Sequence, residues 1–235
     1  MKKPKVAAWI PHGLALKSYW EGNKKAAIKI HMDDGSITSM PIEIYFRKAE
    51  NLPEIEKIAL QLCQGFILDV GAGAGAHSLI LQQKHEVTAL DISEDGVEIM
   101  NHLGIKNPIC EDFLQYNTSQ KFDTLLFLMN GIGVAGSITG LEKYLQKSHE
   151  LTTEDGQILL DSSDLRNGEI ELDFSQEYFG VFNYQLSFEQ AIGDKYQWLY
   201  IDQELLKEVA IKCRWKTEVI YEQEDGSFLA QLTKV

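Results

Sequence analysis

ILDVGAGAGAHSLIL, from Ile67 to Leu81, begins as an apolar run, stops at Asp69-Val70 and then places glycine at 71, 73 and 75. The apolar part reads as a buried strand. The glycines allow backbone conformations that other residues resist, and the AHSLIL beyond them can start a helix. A strand, a glycine turn and a helix N-terminus together let a backbone approach a nucleotide closely.

The elements on either side support that reading. After the loop, EVTAL is a second strand ending at Asp91, and SEDGVEIMNHL a helix with Ser93 as N-cap. NPIC is a short third strand ending at Glu111-Asp112, FDTLLFLM a fourth followed by NGIGVAG, ITGLEKYLQKSHEL an amphipathic helix and GQILLDSS a fifth strand. Strands alternating with helices imply right-handed crossovers and a mainly parallel sheet. Before the loop, Pro53 opens the helix PEIEKIALQL, and Lys24 to Phe46 reads as a β-hairpin turning at Asp34-Gly35. Beyond Asp164 the pattern changes. YFGVFNYQLSFEQ and YQWLYID read as an antiparallel pair, QELLKEVAIKC as a helix, and the chain closes in a hairpin at Asp225-Gly226.

Composition narrows the function. The 235 residues carry 22 Lys and Arg against 35 Asp and Glu, a net charge of −13. No basic stripe is present to meet phosphate, since Lys2, Lys3 and Lys5 are offset elsewhere, so a nucleic-acid partner is disfavoured. The longest strongly apolar run, Phe122–Met129, is too short to cross a bilayer, and Met1–Pro11 lacks the apolar core of a secretory signal. The expected address is the cytoplasm. Cys63, Cys110 and Cys213 are isolated, and the histidines His12, His31, His85, His102 and His149 have no metal-like spacing and read as surface residues. No metal is expected.

Which nucleotide sits on the loop is a question of charge. Gly71, Gly73 and Ala76 also satisfy the dinucleotide pattern, and Asp91 suits a ribose in either case, so an NAD(P)-dependent oxidoreductase is the alternative. A pyrophosphate would be repelled by Asp69, with no nearby Lys or Arg to compensate. A cationic ligand without phosphate suits that acid, directly or through water.

With these motifs in order, the chain resembles the class I S-adenosylmethionine-dependent methyltransferases from Ile67 to Val235. DVGAGAG is similar to the family's first motif, which implies donor contacts at Asp69, Gly71, Ala72, Gly73 and Gly75. ALDIS resembles the second, implying ribose binding by Asp91 beside Ile92. CEDF resembles the third, implying that Asp112 meets the adenine amino group with Phe113 beside the ring. Asn130 and Gly131 fall where the fourth motif lines the methyl-donor site. The resemblance implies a Rossmann-like, doubly wound, mainly parallel seven-stranded sheet with a reversed C-terminal strand. To it are added the N-terminal hairpin and an inserted antiparallel segment. It also implies S-adenosylmethionine as cofactor and methyl transfer by in-line displacement, here to a small-molecule acceptor. A non-catalytic donor-binding protein is the other alternative.

Residues 1–52 are read as a hairpin arm and 53–235 as the core, with 164–202 inserted; arm and insert are expected to close over the donor as a lid. Tyr45, Phe46, Arg47, Tyr184 and Trp198 are the candidates nearest the acceptor. His77 and Arg47 are candidates for catalysis, and Asp161–Asp164 end the fifth strand near the acceptor or cap a helix. No general base is named.

Overall fold

The computed structural model describes residues 7–167 and 178–235. Residues 168–177 of the expected insert, and Lys2, Lys3 and Lys5, lie outside them. A seven-stranded sheet forms the centre. In chain order its strands are β3 (Phe66–Val70), β4 (Glu86–Asp91), β5 (Pro108–Cys110), β6 (Phe122–Phe127), β7 (Thr152–Ser163), β11 (Trp215–Glu222) and β12 (Ser227–Lys234). The spatial order is β11-β12-β7-β6-β3-β4-β5, parallel except for β12, which runs against both neighbours.

Helices α2 (Glu54–Leu62), α3 (Ala76–Leu81), α4 (Glu94–His102), α5 (Ile138–Leu151) and α6 (Gln203–Lys212) cover this sheet. Both faces are buried, which is why β3 and β6 are continuous apolar runs rather than alternating ones. On one face Leu68, Phe127, Leu145 and Trp215 pack with α5 and α6; on the other Ile67, Leu126 and Leu159 pack with Ile55 and Ala59 of α2. Trp215 is fully buried and its indole N–H donates to Leu145 O at 3.0 Å.

A second, antiparallel sheet joins the two additions. It holds β1 (Ala27–Met32), β2 (Ile37–Pro41), β8 (Val181–Phe188), β9 (Ala191–Ile192) and β10 (Tyr196–Leu199), in the order β10-β8-β1-β2 with β9 on β8. β1 from the N-terminal arm pairs with β8 from the insert, with Ile30 opposite Leu186. The two regions are one sheet, not two separate flaps. The β1–β2 and β11–β12 turns share one device. Gly35 and Gly226 take left-handed φ of 84° and 86°, and the preceding Asp accepts the N–H of the following Ser at 2.7 and 2.9 Å.

Two expectations change. The hairpin was expected to continue to Phe46, but β2 ends at Pro41, which has no N–H to extend the ladder, and Ile42–Phe46 coils into a 3₁₀ turn. An unexpected helix, α1 (Ile10–Trp20), precedes the hairpin, with Pro11 in its first turn. It packs on α4, where Gly13 passes so close that a Cβ would lie 2.8 Å from Ser93 Oγ. Leu16 of α1 is fully buried with Ile28, Ile42 and Leu186, so α1 ties the second sheet to the first.

Leu16→Ala should therefore lower stability by about 2–5 kcal/mol, as cavity-forming core substitutions do. Urea denaturation measures it. A loss under ~1 kcal/mol would show that α1 and the second sheet are not part of the cooperative core.

Candidate functional site

The glycine loop is shaped by the end of β4. Leu90 O accepts the N–H groups of both Gly71 and Ala72, at 2.8 and 3.0 Å. Asp91 grips the loop with one oxygen, accepting Gly73 N–H at 2.7 Å, and the start of α4 with the other, accepting Ser93 N–H at 2.7 Å. The loop glycines all have left-handed φ, 74°, 59° and 84°, which a side chain would resist. Burial raises the Asp91 pKa to about 6, against the two backbone donors that favour its charge.

A cavity of about 650 Å³ opens over the C-terminal ends of the parallel strands, within the range that holds a small ligand. Among the expected donor residues, Asp69, Gly71, Gly73, Asp91, Ile92, Asp112, Phe113, Asn130 and Gly131 line it. A Cβ on Gly71 would meet nothing within 4 Å, so there is open space against that backbone. Asp112 Oδ1 accepts Leu114 N–H at 2.8 Å, and Phe113 stacks on Tyr144 of α5 with ring centroids 5.1 Å apart. Asn130 takes a left-handed φ of 53°, its N–H donates to Asp161 Oδ1 at 2.9 Å, and its own buried Oδ1 has no hydrogen-bond partner. Burial pushes Asp161 up to about 7.

Ala72 and Gly75 do not line the cavity. Ala72 packs beside Ala89, Met100 and Ile105. Gly75 is a packing glycine, since a Cβ there would sit 2.1 Å from Ile105 and 2.9 Å from Met100.

Asp69 is 2% exposed and accepts the Ser78 hydroxyl at 2.6 Å. Burial raises its pKa, and the nearby His77 works the other way. The compensating group absent from the adjacent sequence is thus a histidine in the first turn of α3. His77 Nε2 in turn meets Glu56 Oε2 at 2.7 Å, and Arg47 meets Glu56 Oε1 at 2.5 Å. Burial opposes charge on His77, but Glu56 and Asp69 outweigh it and raise its pKa. His77 and Arg47 hold Glu56 low against its own burial.

Tyr45, Tyr184 and Trp198 reach the cavity; Phe46 and Arg47 do not. The 3₁₀ turn separates these neighbours. Tyr45 lies over Gly73, whose Cβ would come within 3.3 Å of its ring, while Phe46 stacks on Tyr19 at 4.7 Å and Arg47 turns to Glu56. Four tyrosine and tryptophan residues that the sequence did not single out for the site, Trp9, Tyr144, Tyr196 and Tyr200, line the cavity as well. Period-two alternation holds the signal: Tyr196, Trp198 and Tyr200 share one face, as do Ile28 with Ile30 and Tyr184 with Leu186. His12, expected at the surface, is buried against Tyr45 with centroids 4.7 Å apart; its Nε2 has no hydrogen-bond partner and burial lowers its pKa to about 4.

Among the described residues no group of three or more His, Cys, Asp or Glu is arranged to hold a metal ion. No helix among them is long and apolar enough to cross a membrane.

The Arg47–Glu56–His77 chain generates a prediction. Glu56→Gln strips Arg47, and His77 when it is protonated, of their counter-charge in a buried setting, which should cost about 3–5 kcal/mol in chemical denaturation. A raised histidine pKa stabilises the fold fully below the unfolded value of 6.5 and loses that contribution as pH rises through the folded value. The His77 share of the loss should thus shrink at alkaline pH. A pH-independent loss would separate His77 from the pair.

The comparisons agree with this geometry. A methyltransferase-domain family model matches residues 68–160. A SAM-dependent methyltransferase from Bacteroides fragilis, solved in complex with S-adenosyl-L-homocysteine, is 32% identical, with a TM-score of 0.90 over 100% of this chain and 98% of its own. CalS10, an amino pentose methyltransferase from Micromonospora echinaspora, is 13% identical, with a TM-score of 0.60 over 77% of this chain and 90% of its own. The CcbJ methyltransferase from Streptomyces caelestis is 12% identical, with a TM-score of 0.61 over 81% and 98%. At such identity the last two share the fold. No curated protein matches the sequence. Full-length coverage at 32% identity, with the methyltransferase domain on β3 to β7, decides the family: the chain belongs to the class I S-adenosylmethionine-dependent methyltransferases.

Proposed function

We propose that the protein transfers a methyl group from S-adenosylmethionine to a small-molecule acceptor, both held in the one cavity. The observation that carries this reading is that the cavity has two chemically different walls. The parallel-sheet wall brings the glycine loop, four carboxylates (Asp69, Asp91, Glu111 and Asp112) and Asn130. The other wall, from α1 and the second sheet, brings rings and aliphatic side chains.

The donor residues fit the cofactor. Gly71 leaves backbone and open space, Asp91 retains lone pairs beyond its two backbone bonds for ribose hydroxyls, and Asp112 has a free oxygen suited to an exocyclic amine. Phe113, braced by Tyr144, offers an apolar surface to the adenine. Asn130 Oδ1 lacks a partner, and the nearby Asp69 favours positive charge. When bound, S-adenosylmethionine supplies a methyl group already activated on a cationic sulfur, and transfer would proceed by in-line displacement. The chain's own residues then orient the acceptor and exclude water, which is the role of the second sheet as a roof. The described residues of 1–52 and 164–202 act together in that role, upon the core formed by the rest of 53–235.

Calorimetry provides the first test. S-adenosylhomocysteine should bind and NAD should not; NAD binding as tightly would overturn the reading. Asp91→Asn should weaken S-adenosylhomocysteine by about 2–4 kcal/mol, the loss of charge from two hydrogen bonds.

The pH dependence follows from the raised Asp91 pKa. Ribose binding uses the carboxylate, so wild-type affinity should fall as pH drops below about 6, and Asp91→Asn should flatten this fall. For the unliganded fold the sign is opposite. The folded protein takes up the Asp91 proton more readily than the unfolded chain, whose value is 3.8, so this group adds stability as pH falls from above about 6. An unchanged slope in the variant would remove Asp91 from the donor site.

A further inference from the structure

The donor site is laid out along the sheet. Asp112 and Phe113 follow β5, Asp91 ends β4, and the glycine loop follows β3. The strands lie side by side in the order β6-β3-β4-β5. A donor with its adenine at β5 and its ribose at β4 therefore has its amino-acid end over β3 and β6. The polar side chains that line the cavity there are Asp69 of β3, His77 of α3 and Asn130 beyond β6.

That end of the donor is a zwitterion, with an ammonium and a carboxylate on one carbon. Asp69 and the unpartnered Asn130 Oδ1 suit the ammonium. The carboxylate calls for a donor in the same place, best a charged one. Among the described residues, the basic side chains lining the cavity are His12, Lys143 and His77. Burial keeps His12 neutral. Lys143 is next to Tyr144, whose ring stacks on Phe113, so it belongs to the adenine end. His77, in the first turn of α3, is at the amino-acid end.

The His77 ring is held from behind. Glu56 Oε2 meets its Nε2 at 2.7 Å, and Arg47, which does not line the cavity, meets the other Glu56 oxygen at 2.5 Å. With Nε2 engaged, Nδ1 is the remaining polar atom of the ring, and protonation makes it an N–H donor. Four charged groups act on that protonation: Glu56 of α2, Asp69 of β3, Asp161 of β7 and Arg47 from the segment before α2. Burial and Arg47 oppose it, and Glu56 with Asp69 outweighs them.

We infer that His77 binds the carboxylate of the donor's methionine through Nδ1, so that Asp69 and His77 together recognise the zwitterion. Glu56 and Arg47 are positioning residues for that ring. This rests on the donor half of the proposed function, and it makes the protein selective for a donor that keeps its carboxyl group.

The experiment compares two probes by calorimetry on the whole chain near neutral pH: S-adenosylhomocysteine, and S-adenosyl-3-thiopropylamine, the same molecule without its carboxyl group. His77→Gln keeps an amide donor toward Glu56 and removes Nδ1. It should lower the preference for S-adenosylhomocysteine over the decarboxylated probe by about tenfold, the loss of one charge-assisted hydrogen bond. An equal loss for both probes would make His77 structural, and an unchanged preference would remove it from the carboxylate; either overturns the inference. If His77→Gln does not fold, the wild-type chain decides by NMR, with the His77 ring proton followed against pH. S-adenosylhomocysteine should raise the His77 pKa more than the decarboxylated probe does, and an equal effect of the two overturns the inference. Failure of both probes to bind the wild-type chain overturns the donor reading and this inference together.

Discussion

The site depends on the glycine loop of residues 71 to 75, left-handed at Gly71, Gly73 and Gly75 and pinned to the end of β4. Leu90 O and Asp91 Oδ2 between them take three successive N–H groups of the loop. Those bonds hold the glycines in a conformation that side chains resist, and the bare backbone is then used from three directions. Gly96 of α4 approaches Gly73 O so closely that a Cβ would be 2.7 Å away; Met100 and Ile105 close on Gly75; Tyr45 comes down on Gly73. The cavity floor, the seat of α4 and one support of the roof are all set by this one turn. Asp91 is therefore a structural residue as well as a candidate for ligand binding.

The central sheet was legible because its code is local. Buried parallel strands are apolar runs, β3, β4, β5 and β7 end at or beside a glycine or an acid, and the helices between them carry a 3.6-residue stripe. β3 to β7 and the closing hairpin follow that code. Helix α1 does not. It is covered by the second sheet on one side and α4 on another, so its apolar residues do not collect on one stripe, and Pro11 and Gly13 further obscure it. Missing α1 also misplaced His12 and left Trp9 out, since both depend on where that helix docks. The same limit applies to Tyr45, Phe46 and Arg47. Three neighbours in sequence point three ways because Pro41 stops a strand and a 3₁₀ turn comes next. A reading in period two puts Tyr45 and Arg47 on one face, and the turn separates them.

Asp69 is an acid at the mouth of the glycine loop, and its electrostatic surroundings are set by the fold more than by its neighbours in the chain. Sequence shows an acid with no cation beside it in the chain. Folding brings His77 near, and behind it Glu56 and Arg47, so that the acid is partly balanced and the balancing groups are themselves paired. Buried charges of this kind persist only when each has a partner. Asp69 thus does two jobs that compete. It holds Ser78 in the first turn of α3, and it gives the cavity floor a negative bias.

The two walls differ in chemistry, yet they are mechanically coupled. The roof touches the floor through small residues: Tyr45 over Gly73, Trp198 over Gly133, and Gln197 over Gly136, where a Cβ would meet its carbonyl oxygen at 3.0 Å. Each contact exists because a glycine leaves room for it, and each glycine lies in a turn that follows a parallel strand. A side chain at Gly133 would lift the indole of Trp198, and with it the surface that faces the donor. The position of the aromatic wall is consequently fixed by the same backbone that shapes the charged one. A rigid relation of this kind is what alignment of two reactants requires, because displacement at a methyl group tolerates little error in the approach of the attacking atom. Sheet pairing between β1 and β8 completes the constraint, since neither addition can move without carrying the other.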